Sequence, residues 1–199
     1  MTMTAWVLDF VIKFKEYVKF KIRFCITKSI KMKKLWSPWR SEYIDSFNKN
    51  NTPGGCIFCD ALEQEVEGKK NLLVRKSNLT FTLLNLYPYN NGHLMVVPNR
   101  HIDDLGELTI DESNEIMREL KLAQKALAEV FNPQGFNMGA NLGRASGAGI
   151  DEHLHFHIVP RWNGDTNFMP VLGEVKVISQ DLMETKSKLL KAYSNLKAN

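Results

Sequence analysis

Three cysteines in 199 residues are too few, and the wrong parity, for the disulfide framework of a small secreted domain. A reducing, cytoplasmic setting is the expectation. No uninterrupted apolar run approaches the ~20 residues of a membrane-spanning helix, which argues against stable membrane insertion. Histidine is scarce, with five in the chain. No internal repeat is present, which sets aside solenoids and propellers. What is ordinary is the core-forming fraction: 44% hydrophobic and 10% aromatic residues suit one globular domain.

The net charge of +4 invites a nucleic-acid reading until it is located along the chain. Residues 1–31 hold seven basic and two acidic side chains, leaving 19 basic and 20 acidic in residues 32–199. No basic stripe with interleaved aromatics occurs after Met32, so no nucleic-acid partner is expected. The leader is apolar as well as basic (Trp6, Val7, Leu8, Phe10, Val11, Ile12, Phe14), but lysines interrupt it, and it lacks a small-residue cleavage site. It reads as a surface-binding arm, a targeting segment, or an extension the folded domain does not need. The last is the expectation: 1–31 as a basic N-terminal extension outside the core, 32–199 as the domain. Cys25 lies in that leader and has no evident partner.

From Met32 the pattern alternates short apolar runs with turns. Asp60–Glu67 reads as an acidic helical piece; Leu72–Arg75 and Thr80–Leu84 read as a hairpin turning at Ser77-Asn78. His93–Val97 is an apolar strand after the turn Asn90-Asn91-Gly92, closed by Pro98. Thr109 and Glu112 form a capping-box pattern. Ile116, Leu120, Ala123, Leu127 and Phe131 then line one helical stripe with charges on the other face, ended by Pro133 and Gly135. Phe136–Asn141 and His153–Val159 read as strands around the glycine-rich Gly143–Gly149, and Leu182–Leu196 as a C-terminal helix. The expected fold is α+β: an antiparallel sheet with a long helix, plus the C-terminal helix.

Three of the five histidines fall in His153-Leu154-His155-Phe156-His157. In a strand this spacing sends Leu154, Phe156 and Ile158 to a core and the three imidazoles to the opposite face. One strand histidine is usually structural. Three on one face each need a hydrogen-bond partner, which points to function. Two chemistries fit the row: ligation of a catalytic metal with an open position for water, or a nucleophilic central histidine flanked by hydrogen-bonding neighbours. An imidazole with pKa near 6.5 is largely neutral, and so nucleophilic, at pH 7.

The segment resembles the signature of the histidine triad (HIT) superfamily, and the resemblance covers residues 35–182. It includes Asn85–Pro98 with Gly92-His93, Gly135-Phe136-Asn137, Asn141-Leu142-Gly143 and His153–Trp162. Trp36–Arg40 and Gly164–Phe168 are similar to the bacterial branch of diadenosine tetraphosphate (Ap4A) phosphorylases and hydrolases. The resemblance implies a HIT-like fold and a nucleotide substrate, with magnesium accompanying the nucleotide, and a homodimer. It also implies a reaction in which His155 attacks an α-phosphate to form a nucleotidyl-histidine. His157 and His93 complete the catalytic group. Asn85, Asn141, Gly147, Gly149 and Trp162 correspond to substrate-binding positions. Asn85 also fits a turn cap, and Trp162 core packing. One position departs from the family pattern: Gly149 stands where many members carry a hydroxyl that assists the leaving group. Phosphorylase, hydrolase and phosphoramidase activities therefore all stay open, as does a nucleotide-binding regulatory protein with little turnover.

Cys56-x-x-Cys59 after Pro53-Gly54-Gly55 is a tight knuckle that suits zinc, a redox pair or two idle thiols. In zinc-bearing triad proteins the remaining ligands are a histidine three residues past the strand-ending proline and the first triad histidine. Here His101 and His153 hold those positions. The resemblance thus implies a structural Zn2+ on Cys56, Cys59, His101 and His153.

Overall fold

The structure, a computed structural model, describes residues 55–165 and 180–197. The leader 1–31, the boundary at Met32, Cys25, Trp36–Arg40 and Thr166–Phe168 lie outside the described residues. Five strands form one antiparallel sheet in the order β1-β2-β3-β5-β4: β1 Leu73–Lys76, β2 Thr80–Leu84, β3 Leu94–Pro98, β4 Gly135–Ala140 and β5 Phe156–Arg161. Helix α1 is Ile57–Leu62, α2 is Ile110–Phe131 and α3 is Leu182–Lys197. This is the expected α+β arrangement. Among the described residues no helix is long and apolar enough to cross a membrane.

Side-chain alternation divides the sheet into two apolar faces. Val74, Leu84, Leu94, Val96 and Ile158 pack against Ile116, Leu120, Ala123 and Leu127 of α2 and Leu189, Ala192 and Tyr193 of α3. Their neighbours Leu73, Phe81, Leu83, Met95 and Val97 point the other way and enclose Phe58 of α1. Because both faces are covered, β2 and β3 are buried at every position. The imidazoles share the α1 side: Met95 pairs with His157, while Val96 and Leu94, facing α2, pair with Phe156 and Ile158.

Helix α2 begins at the expected capping box, in which Thr109 Oγ1 accepts the Glu112 N–H and Glu112 Oε2 accepts the Thr109 N–H. It ends on Asn132 in the left-handed region, φ 45°. The expectation that its charges face away from the stripe needs correction, because Glu112, Glu115 and Glu119 are buried. The helix crosses a sheet end rich in donors. Arg100 meets Glu112 at 2.7 Å, the Leu79 N–H meets Glu115 at 2.7 Å, and Arg75 meets Glu119 at 2.7 Å. Each carboxylate is therefore compensated on burial.

Two boundaries also move. Helix α1 starts three residues earlier than the acidic run Asp60–Glu67, because Phe58 must enter the second core; Asp60 sits in its first turn, while Glu63, Glu65 and Glu67 follow the helix in turns and irregular chain. The last strand starts at Phe156 rather than His153. Its β3 partners run from Leu94 to Val96, and the Leu154 N–H turns aside to the Ile102 carbonyl at 2.6 Å. His153 and His155 therefore sit on extended chain ahead of the ladder. The strand also runs through Pro160, which lies past its last β3 partner, so no ladder donor is missed on that side.

Candidate active site

Gly92 carries the chain into β3 with φ +74°, and a Cβ there would stand 2.9 Å from both Leu127 Cδ2 and Phe131 Cε2. A residue without a side chain is required for the turn to seat against α2. The next residue, His93, is fully buried. Its Nδ1 accepts the Tyr89 backbone N–H at 3.1 Å, which leaves the ring proton on Nε2. That Nε2–H donates to His157 Nδ1 at 3.0 Å. A neutral His157 must then carry its own proton on Nε2, a buried atom with no partner. The backbone at Tyr89 thus dictates, through two rings, that an N–H is presented at the third triad position. Burial, and then the charge of His155, push the His157 pKa down to about 4, so the ring is neutral at pH 7.

His155 has the opposite polarity. Its Nδ1–H donates to the His153 carbonyl at 2.8 Å, leaving the Nε2 lone pair as the unused ring nitrogen. Burial lowers its pKa, partly offset by that hydrogen bond, so its basic form persists at neutral pH. The rings of His155 and His157 meet edge to face at 4.8 Å between centroids. An electron-pair donor and a proton donor therefore lie side by side, a pairing suited to attack on an electrophile that bears an oxyanion.

Both rings open on a cavity of about 600 Å³. Its wall is largely apolar, with Ile57 and Phe58 from the α1 side, Leu83 and Met95 from the sheet, and Leu182 and Met183 from α3. That size and lining suit a nucleoside-sized ligand. Asn85 and Gly149 are in the lining; Asn141, Gly147 and Trp162 are not. Asn85 also caps a turn, its Oδ1 accepting the Tyr87 N–H at 2.9 Å. Asn141 follows the last β4 residue, Ala140, which pairs with Phe156, and so stands level with His155 in register. The Gly147 N–H closes a turn on the Arg144 carbonyl. Trp162 lies just beyond the far end of β5, on the order of 20 Å from His155 along extended chain. Arg161 pairs with Asp165 at 2.6 Å and Arg144 with Asp151 at 2.8 Å.

The ligand atoms of Cys56, Cys59, His101 and His153 lie within 4.8 Å of one another. Cys56 Sγ is 3.3 Å and Cys59 Sγ 3.8 Å from His153 Nδ1, and Cys59 Sγ is 3.4 Å from His101 Nδ1. Tetrahedral zinc with ordinary Zn–S and Zn–N lengths gives S···N edges of about 3.6 Å. The four donors therefore fit zinc in number, type and spacing. His153 Nε2 is 2.9 Å from the Pro98 carbonyl, a bond that puts the proton on Nε2 and turns the bare Nδ1 to the cluster. Burial and the adjacent Cys56 push the Cys59 thiol pKa up, a penalty that a divalent cation between the sulfurs would remove.

Sequence reasoning missed four contributors. Phe58, between the cysteines, stands 5.5 Å from the ring of His153 and 4.9 Å from that of His155. The Tyr89 N–H and the His153 carbonyl are main-chain groups and carry no residue-type signal. Lys186 of α3 is buried with Nζ on the Gly68 carbonyl and Asn71 Oδ1, at 2.8 and 2.7 Å, tying α3 to the loop that carries Asn71 and Leu72 of the cavity wall. Its separation from that loop in sequence hid the link.

Comparison with known proteins agrees with the fold. The HIT domain family model matches residues 67–164. A Mycobacterium tuberculosis protein named AP-4-A phosphorylase is 40% identical over 161 residues, covering 79% of this chain and 83% of that protein. A solved histidine triad nucleotide-binding protein of Sulfolobus tokodaii, itself described as hypothetical, superposes with TM-score 0.58 at 27% identity. The match covers 71% of this chain and 94% of that one. A Zn-bound histidine triad protein of Mycobacterium smegmatis shares the fold, with TM-score 0.59 at 23% identity over 72% of this chain and 96% of the other.

Proposed function

The chain belongs to the histidine triad family, and on that premise we propose that it cleaves dinucleoside polyphosphates of the Ap4A type at an α-phosphate. His155 Nε2 attacks that phosphorus, the P–N bond forms as the bridging P–O bond breaks, and the rest of the substrate leaves as ATP. The His157 Nε2–H donates to a non-bridging oxygen as charge gathers there. Inorganic phosphate then attacks the AMP–His155 adduct, forming ADP and returning the free imidazole. His93 holds His157 in the donating tautomer. Asn85 and Gly149, which line the cavity, belong to the same reading as substrate contacts, and Asn141, Gly147 and Trp162, which lie outside its lining, as contacts of the parts of a long substrate that extend beyond it. Magnesium enters only as the counter-ion of the nucleotide.

The observation that carries the reading is the unpartnered His157 Nε2–H beside the unprotonated His155 Nε2. A metal-bound water is not needed from these histidines, because His153 turns away to the cysteines. There Cys56, Cys59, His101 and His153 hold a structural zinc, and its thiolates suit a reducing, cytoplasmic protein. The reading also includes a homodimer and treats residues 1–31 as an extension of the 32–199 domain. The outer strand β4, with Met138 46% exposed, supports an interface on that side.

Product analysis tests the reaction. With phosphate present Ap4A yields ADP and ATP, and an alkaline denaturing quench of a labelled substrate, in which the P–N bond survives, traps AMP on the protein. AMP and ATP regardless of phosphate makes the enzyme a hydrolase, and cleavage confined to P–N substrates makes it a phosphoramidase. Tight nucleotide binding without turnover favours a regulatory protein. His155→Asn is expected to fold and to lose turnover by at least ~10³-fold. Substantial residual activity refutes the nucleophile.

A further inference from the structure

Helix α1 and the residues that follow serve two sites at once. Cys56 and Cys59 contribute the sulfurs of the Cys2His2 cluster, while Ile57, Phe58, Ala61 and Gln64 line the cavity. A helix of six residues has no stability of its own, so its position depends on what anchors it. Among the described residues the anchors are Phe58, buried between the cluster and the sheet, the partly buried Ala61 and Leu62 packed on the same core, and the cluster itself, which alone ties the start of the helix to His101 and His153. Across the cluster, His153 contributes Nδ1 to it and a main-chain carbonyl to the nucleophile, 2.8 Å from His155 Nδ1. The Phe58 ring bridges both, edge-on to His153 and tilted over His155. The atoms that would bind metal and those that would bind nucleotide are thus one packed unit, with a side chain and a carbonyl as the links.

We infer that zinc on Cys56, Cys59, His101 and His153 and nucleotide in the cavity bind with positive, reciprocal coupling through Phe58 and the His153 carbonyl. This rests on the nucleotide reading of the cavity. When its sulfurs are tied, α1 is held where Ile57 and Phe58 form the wall and His155 keeps its orientation. When they are released, the wall and the nucleophile lose a shared support, and a ligand that needs both must first restore them. Linkage requires the converse, that nucleotide tightens the hold on metal by the same factor. The opposite wall, Leu182 and Met183 of α3, is built without the cluster, and a change there is expected to weaken nucleotide binding without altering the coupling.

The test measures binding of AMP, alone and with zinc, to the full chain. AMP affinity is read by calorimetry for zinc-loaded and chelator-stripped protein, with circular dichroism confirming that the stripped form keeps its fold. In parallel, zinc is partitioned between loaded protein and a chromogenic chelator with and without saturating AMP, against a protein-free blank for AMP's own zinc binding. This second arm does not need a stable metal-free form. The expectation is about tenfold weaker AMP binding without zinc and about tenfold tighter zinc retention with AMP, within the usual range of coupling. Phe58→Leu should bring both factors below threefold, while Met183→Ala weakens AMP and leaves the ratio at ten. Equal AMP affinity in the two forms, or zinc retention indifferent to AMP, overturns the coupling alone. Loaded protein that binds no AMP overturns the nucleotide reading and the coupling with it.

Discussion

His93→Phe isolates the tautomer relay, since phenylalanine keeps the ring and removes both nitrogens. In the native site the ring of His93 lies 4.7 Å from Tyr89 and 5.0 Å from His157, contacts that the phenyl group retains. What is lost is the acceptor of the Tyr89 N–H and the donor to His157 Nδ1. Without that donor a neutral His157 is free to place its proton on either nitrogen, and the form with Nε2 bare turns a lone pair toward the phosphate oxygen. Losing one enforced buried hydrogen bond costs about 1–3 kcal/mol. Applied to the barrier, that is roughly a 5- to 150-fold fall in kcat. KM should move less than kcat, because His93 itself is not in the cavity lining and touches the wall only through its Nδ1, which faces the Tyr89 N–H and, at 3.4 Å, Asn85 Nδ2. Single-turnover quench of Ap4A cleavage reads the rate of adduct formation, and nitrogen NMR of the imidazoles reads the tautomer. The native protein should have His157 protonated on Nε2 and the variant a mixture. A variant with kcat within twofold of native, or a native His157 protonated on Nδ1, refutes the relay.

Gly92→Ala should destabilise the fold by about 2–4 kcal/mol: a residue with φ +74° is strained, and its Cβ meets Leu127 and Phe131 at 2.9 Å. Urea unfolding measures it, and a loss under ~0.5 kcal/mol shows that the turn shifts freely. The buried His157 sets a pH dependence. Its folded pKa, about 4, lies below the ordinary 6.5, so the unfolded chain takes up this proton first. Stability from this group is complete above pH 6.5 and is lost as pH falls toward 4, by about 2–3 kcal/mol. Below the ordinary carboxylate range Glu112, held down to about 2 by Arg100, adds a second loss. Denaturant midpoints at pH 7, 5.5 and 4 should fall in that order for the native chain and less steeply for His157→Phe. Parallel curves would remove the assignment to His157.

What the sequence made legible follows from periodicity and spacing. The α2 stripe, its capping box and the hairpin are local patterns whose physics acts within a few residues, and they form close to where expected. The buried Glu115 and Glu119 were not legible. Their partners, the Leu79 N–H and Arg75, lie 36 and 44 residues away, and only the register of β1 against α2 brings them together. The triad histidines declared their face by alternation even though the ladder begins only at Phe156, since extended chain keeps the same alternation without pairing. Which nitrogen each ring exposes was beyond the sequence, because the deciding groups are the main-chain atoms of Tyr89 and His153.

The site's electrostatics follows from the same main-chain control. Residues 32–199 carry nearly balanced charge, and the described cavity lining contains one cation, Lys70, and one carboxylate, Asp181. Arg144 and Arg161 are already paired with Asp151 and Asp165. A polyphosphate here would not be held by a field of fixed positive charge. Burial keeps His155 and His157 neutral, so one offers a lone pair and the other a proton, each aimed by a hydrogen bond at its far nitrogen. A protonated His155 would attract phosphate more strongly but could not attack it. Desolvation therefore favours the nucleophilic state at the expense of ground-state attraction, the direction that raises turnover rather than affinity.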